Sequence, residues 1–184
     1  MHEEIIVSGF GGQGALFAGQ VLTYAGMAEG HHVSWIPSYG PEMRGGTAHC
    51  TVILSDEVIG SPVVHRPSIA MVLNIPSMDR YEPLIQPGGL LIYNSSLITR
   101  TPTRTDIRAI AVPANDIAAE LGDTRMANMV MVGALLAETG LVKPETVDAV
   151  LADHMSERRR HLLEANKVAL RRGMSLVQKE PVPA

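Results

Sequence analysis

The chain has 184 residues, 46% of them hydrophobic and 18% charged, with a formal net charge of −4. That composition belongs to a globular protein rather than a disordered or coiled-coil one, and it gives no overall positive field to gather a polyanion, so nucleic acid is not an expected partner. The single cysteine, Cys50, excludes an internal disulfide, and neither a long apolar run nor a basic, apolar leader marks a membrane or secreted protein, so a cytoplasmic location is expected.

The first element is a short apolar run, Glu4 to Ser8, that ends at "SGFGGQG" (Ser8 to Gly14) and is followed by Ala18, Val21, Leu22 and Ala25 at helical spacing. This reads as strand, tight turn and helix. His32 to Ile36 forms a second strand halted by Pro37, and His49 to Ser55 a third. Between them lies "SYGPEMRGGTA", in which Gly40-Pro41 and Gly45-Gly46 are turn signals on either side of Glu42 and Arg44. So much backbone control around one arginine marks a loop that either presents Arg44 and Tyr39 outward or is held in shape by an Arg44–Glu42 pair.

Ile69 to Ile75 and Leu90 to Tyr93 are continuous apolar runs of the kind expected for strands buried on both faces, with a short helix over Pro76 to Ile85 and a turn at Gln86 to Gly89 between them. Thr99 to Thr105 reads as an exposed loop and Ala109 to Val112 as a last strand. From Ala114 onward the pattern is helical, with Gly122, Gly140 and Gly173 each placed as a helix-closing residue. The expected fold is α/β, a Rossmann-like open and mostly parallel sheet with flanking helices and a helical C-terminal segment. Residues 1–177 are expected to form one domain and residues 178–184 a flexible tail.

Gly9, Gly11 and Gly14 fit G-x-G-x-x-G in the strand-to-helix context that gives the pattern meaning. Such a turn lets backbone approach a pyrophosphate at a helix N-terminus. The acid that would hold a ribose at the end of the second strand is missing, because that region reads Ser34-Trp35-Ile36-Pro37. A turn that only closes strand–helix packing, a nicotinamide or flavin dinucleotide site and a site for another anion therefore stay open, and a P-loop is excluded since no Lys-Ser or Lys-Thr follows. The basic run Arg158-Arg159-Arg160 is either a solvated face or a docking surface, Met126, Met129 and Met131 read as packing, and the scattered histidines form no metal-ligand cluster.

"GFGGQG" some 24 residues before "SYGPEMRGGTA", followed by "HCTVILSDEVIGSP", "PGGLLIYNSS" and "AND", resembles the gamma subunit of the 2-oxoacid:ferredoxin oxidoreductases, which act on pyruvate, 2-oxoglutarate and branched-chain 2-oxoacids. The likeness runs from Ile5 to about Leu141, and "GPEMRGG" is closer to the 2-oxoglutarate or pyruvate branch than to the indolepyruvate branch. Members convert a 2-oxoacid and coenzyme A to acyl-CoA and carbon dioxide and pass two electrons to ferredoxin. The resemblance implies a subunit that works in assembly and coenzyme A binding and is inactive alone. Thiamine diphosphate, Mg and the Fe–S clusters then belong to alpha and beta partners, with a ferredoxin-like delta subunit as a further partner. One cysteine cannot supply the four thiolates of a [4Fe–4S] cluster, and no Gly-Asp-Gly with a following Asn-Asn is present. By the same resemblance the cofactor-binding candidates are Gly9, Gly11, Gly12 and Gly14 of the first motif and Tyr39, Arg44, Gly45 and Gly46 of the second, with no catalytic or metal residue. The isolated chain, with interface surface open, is a candidate homodimer. The alternative is a stand-alone Rossmann-like protein binding NAD or FAD.

Overall fold

The computed structural model describes residues 1–39 and 47–177. Six strands make one sheet in the order β2-β3-β1-β4-β5-β6: β1 (His2–Phe10), β2 (His32–Tyr39), β3 (Thr47–Ser55), β4 (Ile69–Val72), β5 (Leu90–Asn94) and β6 (Arg108–Val112). β1, β4, β5 and β6 run parallel, while β3 is antiparallel to both of its neighbours, β1 and β2. The sheet is therefore mixed, with its parallel half after β1 and an antiparallel strand inserted between the two strands that α1 (Ala15–Ala28) connects.

Alternation along the strands sorts the core into two layers. Ile5, Val7, Met71 and Ile92 face α1 and the later helices α3 (Ala114–Glu120), α4 (Ala127–Thr139), α5 (Pro144–His154) and α6 (Leu163–Val177). Ile6, Ala70, Val72 and Leu91 face α2 (Ile75–Tyr81), where Met78 and Tyr81 close a smaller core. α4 is buried from Ala127 to Leu136, sandwiched between the sheet and α6. That is why it is apolar all round rather than on one stripe. Met126, Met129 and Met131 are buried here as packing.

Three local expectations need correction. Pro37 does not halt β2, which continues to Tyr39, because β2 is an edge strand and only one side of its backbone needs partners. Gly173 does not close a helix. It lies inside α6, where a Cβ would strike the backbone of Val130, just as a Cβ on Gly133 would strike Leu170. The stretch from Thr99 to Thr105 is a loop, but it is tied down rather than free: Glu82, 1% exposed, accepts from Arg100 Nη1 at 2.7 Å, from Thr103 Oγ1 at 2.9 Å and from Arg104 N at 3.0 Å. Burial pushes the Glu82 carboxyl up, but Arg100 and the backbone N–H groups of Arg104 and Thr103 outweigh it and hold the group below its ordinary range. Gly122 and Gly140 are left-handed as expected, with φ of 90° and 65°.

Cys50, on β3, is fully buried against α1, where Cys50 Sγ and the Trp35 indole nitrogen both crowd Gly19. Burial pushes its thiol up to about 12, so it stands neutral at any physiological pH. Among the described residues no helix is long and apolar enough to cross a membrane.

The paired glycines set the distance between α4 and α6. Gly133→Ala and Gly173→Ala should each cost at least about 2 kcal/mol, because a methyl group would meet backbone that has no rotamer to escape into. Urea unfolding checks this: a lowered midpoint with unchanged slope is expected, and a wild-type midpoint would contradict so close a crossing.

Candidate functional site

The glycine turn joins β1 to α1 at the end of the sheet where the parallel strands finish. Gln13 N donates to Phe10 O at 3.0 Å to close it. The Gln13 side chain then folds back, and its Oε1 accepts from Phe10 N at 2.6 Å and from Asn74 Nδ2 at 3.1 Å. Gln13 thus ties the turn to the end of β4. Gly9 must lack a side chain because a Cβ there would meet Gln13 Oε1 at 2.8 Å and Leu73 at 3.2 Å.

Gly12 and Gly14 have φ of 101° and 78°, a region that favours glycine. Gly14 is the N-cap of α1 and offers no side chain to its N–H groups. The first intrahelical bond runs from Ala18 N to Gly14 O at 3.0 Å, so the N–H groups of Ala15, Leu16 and Phe17 have no acceptor within the helix. With no acidic residue in that first turn, the helix end carries its partial positive charge unopposed.

Across the turn, Asn128 at the start of α4 donates from Nδ2 to Gly14 O at 3.2 Å, and its Oδ1 accepts from Met129 N at 2.9 Å. A cleft of about 630 Å³ opens between these elements, within the roughly 300–1,000 Å³ typical of small-molecule and cofactor sites. Its walls are the turn (Phe10, Gly11, Gly12, Gly14), the first turn of α1, the start of β3 (Thr47, Ala48), and the C-terminal helices, which bring Arg125, Asn128, Met155, Arg159, Leu162 and Asn166. Arg125 is exposed and grips Asp123 with two nitrogens, Nε to Oδ1 at 2.9 Å and Nη2 to Oδ2 at 2.6 Å, which holds the Asp123 carboxyl below its usual range. A crevice of about 180 Å³ lies beyond it, sharing Gly12 and Arg125 with the cleft.

Gly11, Gly12 and Gly14 line the cleft, while Gly9 supports the turn from within the sheet. Arg44, Gly45 and Gly46 lie outside the described residues, as does the Glu42 carboxylate weighed as a partner for Arg44. For Tyr39 only the backbone, at the end of β2, is described. The register is nevertheless informative: Tyr39 pairs with Ala48, Ala48 with Gly9, and Thr47 with Phe10. Both ends of the second motif are thus attached at the level of the first. β3 also takes the place beside β1 that a dinucleotide fold gives to its second strand, which moves the end of β2 one strand further from the turn. Asn128, Asn166 and Arg125 joined the site through tertiary packing alone, with no local motif to announce them, while Arg159 belongs to the basic run read as a solvated face or a docking surface.

Residues 4–176 match the family described as pyruvate ferredoxin/flavodoxin oxidoreductase. The chain belongs to that family. It is 44% identical over 131 residues to the ketoisovalerate oxidoreductase subunit VorA of Methanothermobacter thermautotrophicus, covering 71% of this chain and 27% of that protein. It is 35% identical over 156 residues to the 2-oxoglutarate synthase subunit KorC of Methanocaldococcus jannaschii, covering 83% of each chain. The chain therefore spans less than a third of the VorA protein and most of KorC. Among solved structures, the gamma subunit of a keto/oxoacid ferredoxin oxidoreductase from Geobacter sulfurreducens superposes with a TM-score of 0.81 at 29% identity, over 95% of this chain and 98% of that one. The α/β fold is that of this oxidoreductase gamma subunit.

The turn supports a differential test. Gly12→Ala places a methyl group in open space at an unfavourable φ and should cost about 1 kcal/mol. Gly14→Ala adds a collision with the Asn128 amide and should cost roughly twice that or more. Equal losses of stability in urea would contradict the Gly14–Asn128 contact.

Proposed function

We propose that this chain is the gamma subunit of a multi-subunit 2-oxoacid:ferredoxin oxidoreductase, and that its cleft takes part in coenzyme A binding. The observation that carries the second half is the arrangement at the start of α1. An uncapped helix N-terminus, two left-handed glycines and Arg125 converge on one cleft of about 630 Å³, which suits a phosphate-bearing ligand. Coenzyme A is the phosphate-bearing reactant of the family's reaction. The first half rests on family membership and on the match to subunits of the same kind.

In this reading the chain holds and orients coenzyme A at the assembly's surface, and the thiamine diphosphate, Mg and Fe–S chemistry is carried by alpha and beta partners, with ferredoxin accepting the electrons. Gly11, Gly12 and Gly14 approach the phosphates, and Tyr39, Arg44, Gly45 and Gly46 extend the same site or the subunit interface beside it. The compartment is the cytoplasm. 2-Oxoglutarate is the favoured substrate, because the match to KorC covers most of both chains. A branched-chain 2-oxoacid is the second reading, favoured by the higher identity to VorA.

An anaerobic pull-down of the tagged chain from its own cells tests the assignment. The expected eluate is brown, holds stoichiometric partner chains and oxidises a 2-oxoacid only when coenzyme A is supplied, with a panel of oxoacids separating the two substrates. An eluate of this chain alone, without cluster absorbance and retaining NAD or FAD, would favour the free-standing dinucleotide-binding alternative instead.

A further inference from the structure

The strand ends beside the glycine turn carry two side chains that neither the core nor the cleft uses. β4 and β5 run parallel to β1 in matched register, Ser8 with Val72 and Val72 with Tyr93, so both finish at the end of the sheet where the turn lies. Each is closed by a buried asparagine. Asn74, 3% exposed, accepts from Ser77 N at 2.9 Å to start α2 and donates to Gln13 Oε1 at 3.1 Å. Asn94, fully buried, accepts from Ala114 N at 3.2 Å and from Ser96 N at 3.3 Å, and donates to Asn115 Oδ1 at 2.7 Å. The turns after β4, β5 and β6 are thus fixed by satisfied, buried polar groups, which rigidify what they join.

Soon after these asparagines stand Ile75 and Leu97, 39% and 40% exposed. A lone apolar residue on a surface needs no explanation, but these two are held on rigid turns at the ends of neighbouring strands. The crevice of about 180 Å³ opens among the same turns, where Leu73 and Asn115 line it together with Thr124 and Arg125, both exposed. Apolar anchors with a polar rim that includes an arginine make the composition of a protein interface. In the reading above, the coenzyme lies in the cleft while the thiamine diphosphate sits in a partner chain, so the end of the sheet that bears the cleft has to face that partner. The relatives bear on the same point. The match covers 27% of VorA and 83% of KorC, so this domain occurs both within a longer polypeptide and as most of a short one. The separate form needs a surface to hold what covalent linkage keeps at high effective concentration in the joined form.

We propose that the ends of β4 and β5 are the docking face for the thiamine-bearing partner chain, with Ile75 and Leu97 as its apolar anchors and Thr124 and Arg125 on its rim. The coenzyme enters from the surface, and its reacting end meets the partner along this seam. The opposite end of the sheet, where β3 finishes beside the start of β1, stays outside the contact. This inference rests on the gamma-subunit reading, and it adds which face of the chain makes the contact and through which side chains.

Pull-down of the assembly through tagged Ile75→Asp, Leu97→Asp and Val58→Asp chains tests it, read as the ratio of thiamine diphosphate to this chain in the eluate. Val58 is the control: it follows β3 at the opposite end of the sheet and is 80% exposed. Aspartate suits the first turn of a helix, so Ile75→Asp should leave α2 intact, and thermal unfolding of each isolated variant checks that it folds. Ile75→Asp and Leu97→Asp should each lower the ratio roughly tenfold or more, while Val58→Asp keeps the wild-type ratio. Hydrogen exchange of the wild-type chain, alone and in the assembly, needs no variant: the amides from Ser95 to Ile98 should exchange more slowly in the assembly. A wild-type ratio in both Ile75→Asp and Leu97→Asp, an equal loss in Val58→Asp, or unchanged exchange over Ser95 to Ile98 would overturn the docking face. A wild-type chain that recovers no thiamine diphosphate would overturn the gamma-subunit reading itself.

Discussion

The pairing of β3 between β1 and β2 is the constraint on which the site depends. Antiparallel hydrogen bonding along nine register positions, from His2–Ser55 to Phe10–Thr47, fixes where β3 begins relative to the glycine turn. A one-residue slip would turn Cys50, Val52 and Leu54 out of the α1-facing core, so the burial of those side chains locks the register. Thr47 and Ala48, the first residues of β3, therefore line the cleft and pair with Phe10 and Gly9. The same insertion displaces β2 from the position where a dinucleotide fold places its ribose-binding acid.

The opposite side of the cleft depends on the approach of two helices. Glycines at 133 and 173 let α4 and α6 pack with backbone nearly in contact. α4 in turn brings Asn128 to Gly14, and α6 brings Asn166 to the cleft. The cleft is therefore a product of layers: sheet and α1 supply the glycine turn, and the C-terminal helices supply the side chains that face it. Gln13 holds the turn against β1 and, through Asn74, against the segment that follows β4.

What could be read from the sequence was whatever is encoded locally. The strand–turn–helix over Ile5 to Ala28, the buried runs at Ile69 and Leu90, and the left-handed closures at Gly122 and Gly140 follow from periodicity and from glycine's freedom at positive φ. The insertion of β3 was not legible, since strand order is decided by contacts far apart in the chain. Pro37 misled because an edge strand tolerates it, and Gly173 because a glycine needed for helix contact looks the same as one that ends a helix. Asn128 and Asn166 gave no signal at all: a lone asparagine acquires meaning only when folding leaves one of its atoms facing a cavity. The second motif was legible as a loop of interest, and the register of its flanks bears on its position, while Arg44 itself lies outside the described residues.

On this reading the chain is the coenzyme-binding, non-cofactor member of a larger assembly. The most direct test is an electron cryo-microscopy map of the assembly isolated with this chain, prepared at saturating coenzyme A. Density for the coenzyme should enter the cleft with a phosphate at the N-terminus of α1 beside Gly12 and Gly14, and with thiamine diphosphate and clusters in neighbouring chains. Coenzyme density lodged wholly in the partner chains, with this cleft filled by a partner's side chains, would contradict it.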